Sequence, residues 1–161
     1  MKLEQLIGLR TLNLWVTDWK SDSGPPFDLD NPYRDGFVEI EKVGFLRFET
    51  SNPEILLQRP CGLNLHEESR EIAGERIVDV LVDVMHYSDR CEDHADMVMD
   101  VPSSLMLTLP GNRTLSTNHY RVEGEVVYSG PGLIDLEDYR HRIEGTVCRI
   151  HRWVDWNTKR A

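Results

Sequence analysis

The sequence predicts a mainly β fold: a single curved antiparallel sheet, barrel or sandwich, entered through a short N-terminal helical turn. Three observations carry this expectation. Val78, Val80, Val82 and Val84 recur at every second position, a β-branched face that suits a strand and crowds a helix. Period-two patterning returns from Leu12 to Val16 and from Phe37 to Phe48. The stretches "YRVEGEVV", from Tyr120, and "HRIEGTVC", from His141, repeat one strand-like pattern with a glycine placed to let paired strands curve. At 161 residues the chain reads as one domain, 1–161, able to bury a core without disulfide or metal staples.

The elements follow in order. "MKLEQLIGLR" sets Leu3, Leu6, Ile7 and Arg10 at helical spacing, which predicts the opening turn. From Thr11, Leu12, Leu14 and Val16 point one way and Trp15 and Trp19 the other, as in a strand covered on both faces. Residues 20–36, "KSDSGPPFDLDNPYRDG", hold paired prolines, Asn-Pro and Asp-Gly; they read as a long loop and a candidate contact surface. Val38, Ile40, Leu46 and Phe48 then share a face, provided that a tight turn or bulge within 41–44 removes Lys42 and Gly44 from it. "EILLQR" is a short apolar run stopped by Pro60 and Gly62, and a short helix is expected around Glu67 to Ala73. In "RIVDVLVDVMHYS", the clearest strand, Asp79 and Asp83 project away from the valines. Ser103-Ser104 reads as a turn after Pro102, followed by the strand-like "SLMLTLP".

The two echoed segments are expected to pair as a C-terminal hairpin over about 118–154, reversed at "GPG". Setting Val122 opposite Ile143 places Arg121 against Glu144, Glu123 against Arg142 and Glu125 against Arg140. The same register covers Gly145 with Tyr120 and Gly124 with His141.

Charge narrows the function classes. The formal net charge is −10, concentrated between Asn64 and Asp100, whereas the end of the chain reverses sign through Arg140, Arg142, Arg149, Arg152, Lys159 and Arg160. Such a chain is ill suited to direct nucleic-acid binding, which needs clustered cations, and well suited to meeting a basic protein. No apolar run is long enough for a membrane helix, and the N-terminus lacks a signal pattern. Three widely spaced cysteines without a C-x-x-C pair fit a reducing compartment, so a cytoplasmic location is expected.

These features predict a non-enzymatic acidic interaction protein that neutralises a basic partner, such as an immunity or inhibitor protein for a toxin nuclease, or a mimic of nucleic-acid charge. Its candidate contact residues are Asp79, Asp83, Asp89, Glu92, Asp93 and Asp96, with Phe27 and Tyr33 as aromatic anchors and Leu133 and Leu136 beside them. No G-x-S-x-G motif and no phosphate-cradling loop occurs. No cofactor is expected on this reading. The alternative is a small β-barrel that binds or transforms a small molecule or divalent metal through the His86–His94 loop, with His86, Cys91, His94 and His66 as ligands; their spacing matches no common zinc module. "CRIHRWVDWNTKRA", at the end of the chain, has the composition of a stacking and phosphate-contacting surface, and equally of a last strand. Exposed strand edges would also permit a homodimer.

Overall fold

The structure is a computed structural model that describes residues 1–21, 32–89, 97–124 and 126–160. Two five-stranded antiparallel sheets pack as a sandwich rather than closing into a barrel. The first comprises β1 (Thr11–Val16), β2 (Gly36–Ile40), β3 (Gly44–Arg47), β4 (Glu54–Leu56) and β5 (His66–Glu67), in the order β4-β3-β2-β1-β5. The second comprises β6 (Asp79–Asp89), β7 (Met97–Thr108), β8 (Arg113–Glu123), β9 (Val126–Asp135) and β10 (Cys148–Arg152), in the order β10-β6-β7-β8-β9. Helix α1 (Leu136–Ile143) links β9 to β10, and α2 (Trp153–Arg160) follows β10.

Alternation decides which side chains meet between the sheets. Leu14, Val16, Val38, Ile40 and Leu46 of the first sheet are buried against Val80, Leu105, Leu107 and Leu115 of the second. Leu3 and Leu6, from the 3-10 turn Leu3–Leu6, join this core. Each such side chain withdrawn from water stabilises the fold by about 1.5–3 kcal/mol. Farther along β6 the same face changes partner, and Val82 and Val84 pack on Trp153 and Trp156 of α2. Segment 70–75 closes over the start of β1. Thr11 donates its hydroxyl to the Ile72 carbonyl at 2.7 Å and its N–H to that of Glu75 at 2.8 Å.

The turn between β2 and β3 falls where expected. Lys42 and Gly44 both take positive φ, 67° and 123°, and a Cβ on Gly44 would sit 2.3 Å from the Leu56 carbonyl oxygen. Leu12 departs from expectation: the register shifts between Thr11 and Asn13, which turns Leu12 outward to 39% exposure while Leu14 and Val16 stay buried. Ser103 and Ser104 lie within β7, not in a turn. The short helix near Glu67 to Ala73 is a 3-10 turn, Arg70–Ile72.

The expected C-terminal hairpin is not formed. "YRVEGEVV" folds back on itself, with Val122 opposite Val127 and Glu123 opposite Val126. "HRIEGTVC" instead ends α1 and leads into β10, which pairs with β6. Local helix signals overrode the echo. Asp135 caps α1 by accepting from the Asp138 N–H at 2.9 Å, acids occupy its first turn, and Arg140, His141 and Arg142 occupy its last. The charges find partners nearby: Arg121 pairs with Glu123, and Arg142 with Asp138 at 3.2 Å.

Candidate functional site

The second sheet divides at one end. β7 and β8 pair only over Met106–Thr108 and Thr114–Ser116. Past that point β8 is irregular against β9 between Ser116 and His119, and side chains replace the ladder. The Leu105 N–H goes to the Thr117 hydroxyl at 2.9 Å, the Asn118 amide donates to the Ser103 carbonyl, and the Ser104 and Ser116 hydroxyls meet at 3.0 Å. Beyond this seam β7 continues with β6 as one arm and β8 with β9 as another. Among the described residues, the facing edges Met97–Ser103 and His119–Glu123 pair with no further strand of the sheet.

A cleft of about 540 Å³ opens where the arms part, bounded by Ser103, Thr117 and Asn118 on one side and by Tyr33, Arg34 and Gly130 on another. Its volume lies in the range of small-ligand sites. Arg34 is held by Glu68 at 2.6 Å and by the Trp19 ring, 4.4 Å below its guanidinium carbon. A Cβ on Gly130 would come within 2.8 Å of the Arg34 side chain, so glycine there admits the arginine. The buried Arg34 Nε has no hydrogen-bond partner among the described residues. The Thr50 and Thr117 hydroxyls meet at 2.6 Å on the cleft wall, where Glu49 accepts from Ser51 at 2.9 Å.

The arms expose apolar side chains. Tyr120 and Val122 on β8 are 66% and 68% exposed, and Met99, Val101 and Val127 are exposed as well. Beside them His119 packs over Gly132; burial, helped by the Arg142 and Arg34 charges and opposed by Glu68, holds its pKa below the usual 6.5.

The expected contact residues are distributed unevenly. Tyr33 lines the cleft, bridging to Lys20 and Ser129. Asp79 is drawn inward, paired with Arg152 at 2.9 Å. Asp83 corrects the expectation outright: it is 1% exposed, beneath Tyr139 and Ser103, and cannot meet a partner. Phe27, Glu92, Asp93, Asp96, Cys91 and His94 lie outside the described residues, as does the side chain of Asp89. Leu133 packs on the core.

Of the expected metal ligands, His66 and His86 are in different sheets. His66 lies 2.5 Å from Asp18 and His86 2.5 Å from Asp100. The barrel of the alternative reading is absent, and no group of three or more His, Cys, Asp or Glu gathers among the described residues. No helix among the described residues is long and apolar enough to cross a membrane.

No known family, curated protein or solved structure matches the chain. The parted arms and their cleft were not foreseen from sequence. Their one available signal was the polar run "STNHYR" inside a strand, where a buried sheet centre would call for apolar residues.

Proposed function

We propose that this protein is a non-enzymatic binding protein that engages a basic protein partner through the two arms and the cleft at their base. The observation that carries the reading is the parting of β7 from β8, which leaves two strand edges next to one cleft and five exposed apolar side chains on the arms beyond it. Unpaired edges offer main-chain hydrogen bonds to an incoming segment, and the exposed side chains supply anchors. The formal charge of −10 selects for a basic partner and speeds encounter. An inhibitor of a toxin nuclease, whose target carries a phosphate-binding surface, is the finer form of this proposal; direct nucleic-acid binding is disfavoured by the same charge.

Native mass spectrometry of tagged protein recovered from its host's lysate, at low and at moderate salt, tests the reading. The expected result is a stoichiometric basic protein that leaves as salt rises and is not retained by a Val101→Asp, Val122→Asp double variant. An acidic or neutral partner, or a partner held equally by that variant, would refute it. A chain carrying a tightly held metal mass and no protein partner would favour the second reading, with His86 as one ligand. A second copy of the chain would place the exposed edges in a homodimer instead.

A further inference from the structure

The cations at the end of the chain do not simply neutralise the acidic middle. Arg152 pairs with Asp79 at 2.9 Å, but Arg149 and Lys159 meet no carboxylate among the described residues. Both line one cavity of about 420 Å³ between β6, β10 and α2, together with His86, Asp100, His151 and Trp156. The fold builds this site deliberately. β10 lies antiparallel to β6 with Cys148 opposite Met85, which brings Arg149 and His151 beside the end of the Val82–Val84 face. Arg149 donates through Nη1 to the backbone carbonyls of Thr146 and Cys148, each at 2.8 Å, and its side chain lines the cavity. Trp156 is 7% exposed and packs against Val82 and Val84; its ring centroid lies 6.0 Å from that of His151, with the planes at 34°. Asp100 engages His86 Nδ1 at 2.5 Å, which leaves Nε2 as the ring nitrogen without a partner among the described residues.

We propose that this cavity binds a small aromatic phosphomonoester. Two cations that meet no carboxylate among the described residues match a dianionic phosphate better than a single carboxylate, and Arg149, with Nη1 taken by the two carbonyls, keeps its Nε–Nη2 edge as a planar fork for two phosphate oxygens. His86, with Nδ1 committed to Asp100, offers Nε2 as a further polar contact. The Trp156 indole and the His151 imidazole add aromatic surface to the lining, against which a planar group can pack, and the volume suits a ligand of mononucleotide size. The site is separate from the parted arms' cleft in its lining, and the inference does not rest on the proposed protein partner.

Phenyl phosphate is the probe, titrated by calorimetry and by the shift of the Trp156 indole N–H resonance, with inorganic phosphate and phenol in parallel. The expected result is saturable binding of phenyl phosphate, at least tenfold tighter than either fragment, with the Trp156 resonance moving. Arg149→Ala and Lys159→Ala should each weaken it about tenfold, the loss of one charge-assisted contact. Arg59→Ala, which removes a cation stacked on Trp15 in the other sheet, should leave it unchanged. Should Arg149→Ala fail to fold, Lys159→Ala on the exposed side of α2 carries the test. No saturable binding, or binding indifferent to both substitutions, would overturn the proposal; equal affinity for inorganic phosphate would overturn its aromatic half.

Discussion

Asp83 shows what folding does to a residue whose sequence position alone suggested exposure. Alternation placed it opposite the valines, and it is opposite them, but that face of β6 is covered. Tyr139 of α1 donates its phenol to Asp83, and Ser103 adds its hydroxyl at 3.3 Å, while the second carboxylate oxygen, Oδ1, is buried without a partner among the described residues. A carboxylate so placed depends on its remaining donors. Tyr139→Phe is expected to destabilise the protein by about 1–3 kcal/mol in urea unfolding, because a buried charge loses a hydrogen bond. Burial first, and then the bond to Asp83, raise the Tyr139 pKa well above its ordinary 10. The unfolded chain therefore releases this proton sooner than the native one. Stability from this group is complete below about pH 10 and is lost as pH climbs beyond it, a loss that Tyr139→Phe should abolish. His119 behaves in the opposite sense. Its depressed pKa means that the unfolded state takes up a proton first, so its contribution is present above pH 6.5 and is lost as pH falls through the lower native value. A histidine titration followed by NMR should find the His119 midpoint below the ordinary 6.5.

At the scale of elements, what was legible in the sequence was period and what was not was context. Val80, Val82 and Val84 of β6, the 41–44 turn and the opening Leu3–Leu6 turn were readable because local pattern and tertiary burial agree there, whereas Val78, expected on the same face, precedes β6 and is 56% exposed. The echoed segments misled because Glu-Gly serves as a stop in two different structures. Gly124, at φ 60°, turns the β8–β9 hairpin, and Gly145, at φ 75°, follows Glu144 at the C-terminal end of α1. The helix announced itself in "DLEDYRHR", with a capping aspartate, acids, and then bases, but similarity to a strand outweighed those signs. Two substitutions separate the roles. Gly145→Ala, with nothing within 4 Å of the new methyl, should cost about 1 kcal/mol through backbone strain alone. Asp135→Ala should cost a similar amount, about 0.5–2 kcal/mol, through the lost cap. Circular dichroism during urea unfolding reads both. The arms escaped sequence reading for a related reason: whether β7 and β8 stay paired depends on side chains such as Asn118 and Thr117, which periodicity does not register.

At the scale of the whole molecule, the acidic balance is less a patch than a background. Many described carboxylates are matched by a cation or histidine, among them Asp35 with Lys20, Glu54 with Arg47, and Glu75 with Arg113. These exposed pairs each contribute about 0–1 kcal/mol and are screened by salt. Raising ionic strength from low to physiological should therefore shift the melting temperature little while slowing association with a basic partner several-fold, a contrast that stopped-flow and calorimetry would show on the same sample.

The division of strands between the sheets also has a consequence for how the chain can be cut. Every strand of the first sheet ends by Glu67, and every strand of the second begins at or after Asp79. Among the described residues no strand ladder crosses from one half to the other, and what joins them is the buried interface together with the isolated bridges Arg10–Arg76 and Tyr33–Ser129 and bonds such as Gly8 N–H to the Ile77 carbonyl. The protein is thus laid out as two complementary pieces. Separate polypeptides of 1–74 and 75–161 should each remain largely unstructured alone, since each would present an uncovered apolar sheet face, and should recover native near-ultraviolet dichroism when mixed. A pair built this way would report on proximity of whatever is fused to its cut ends.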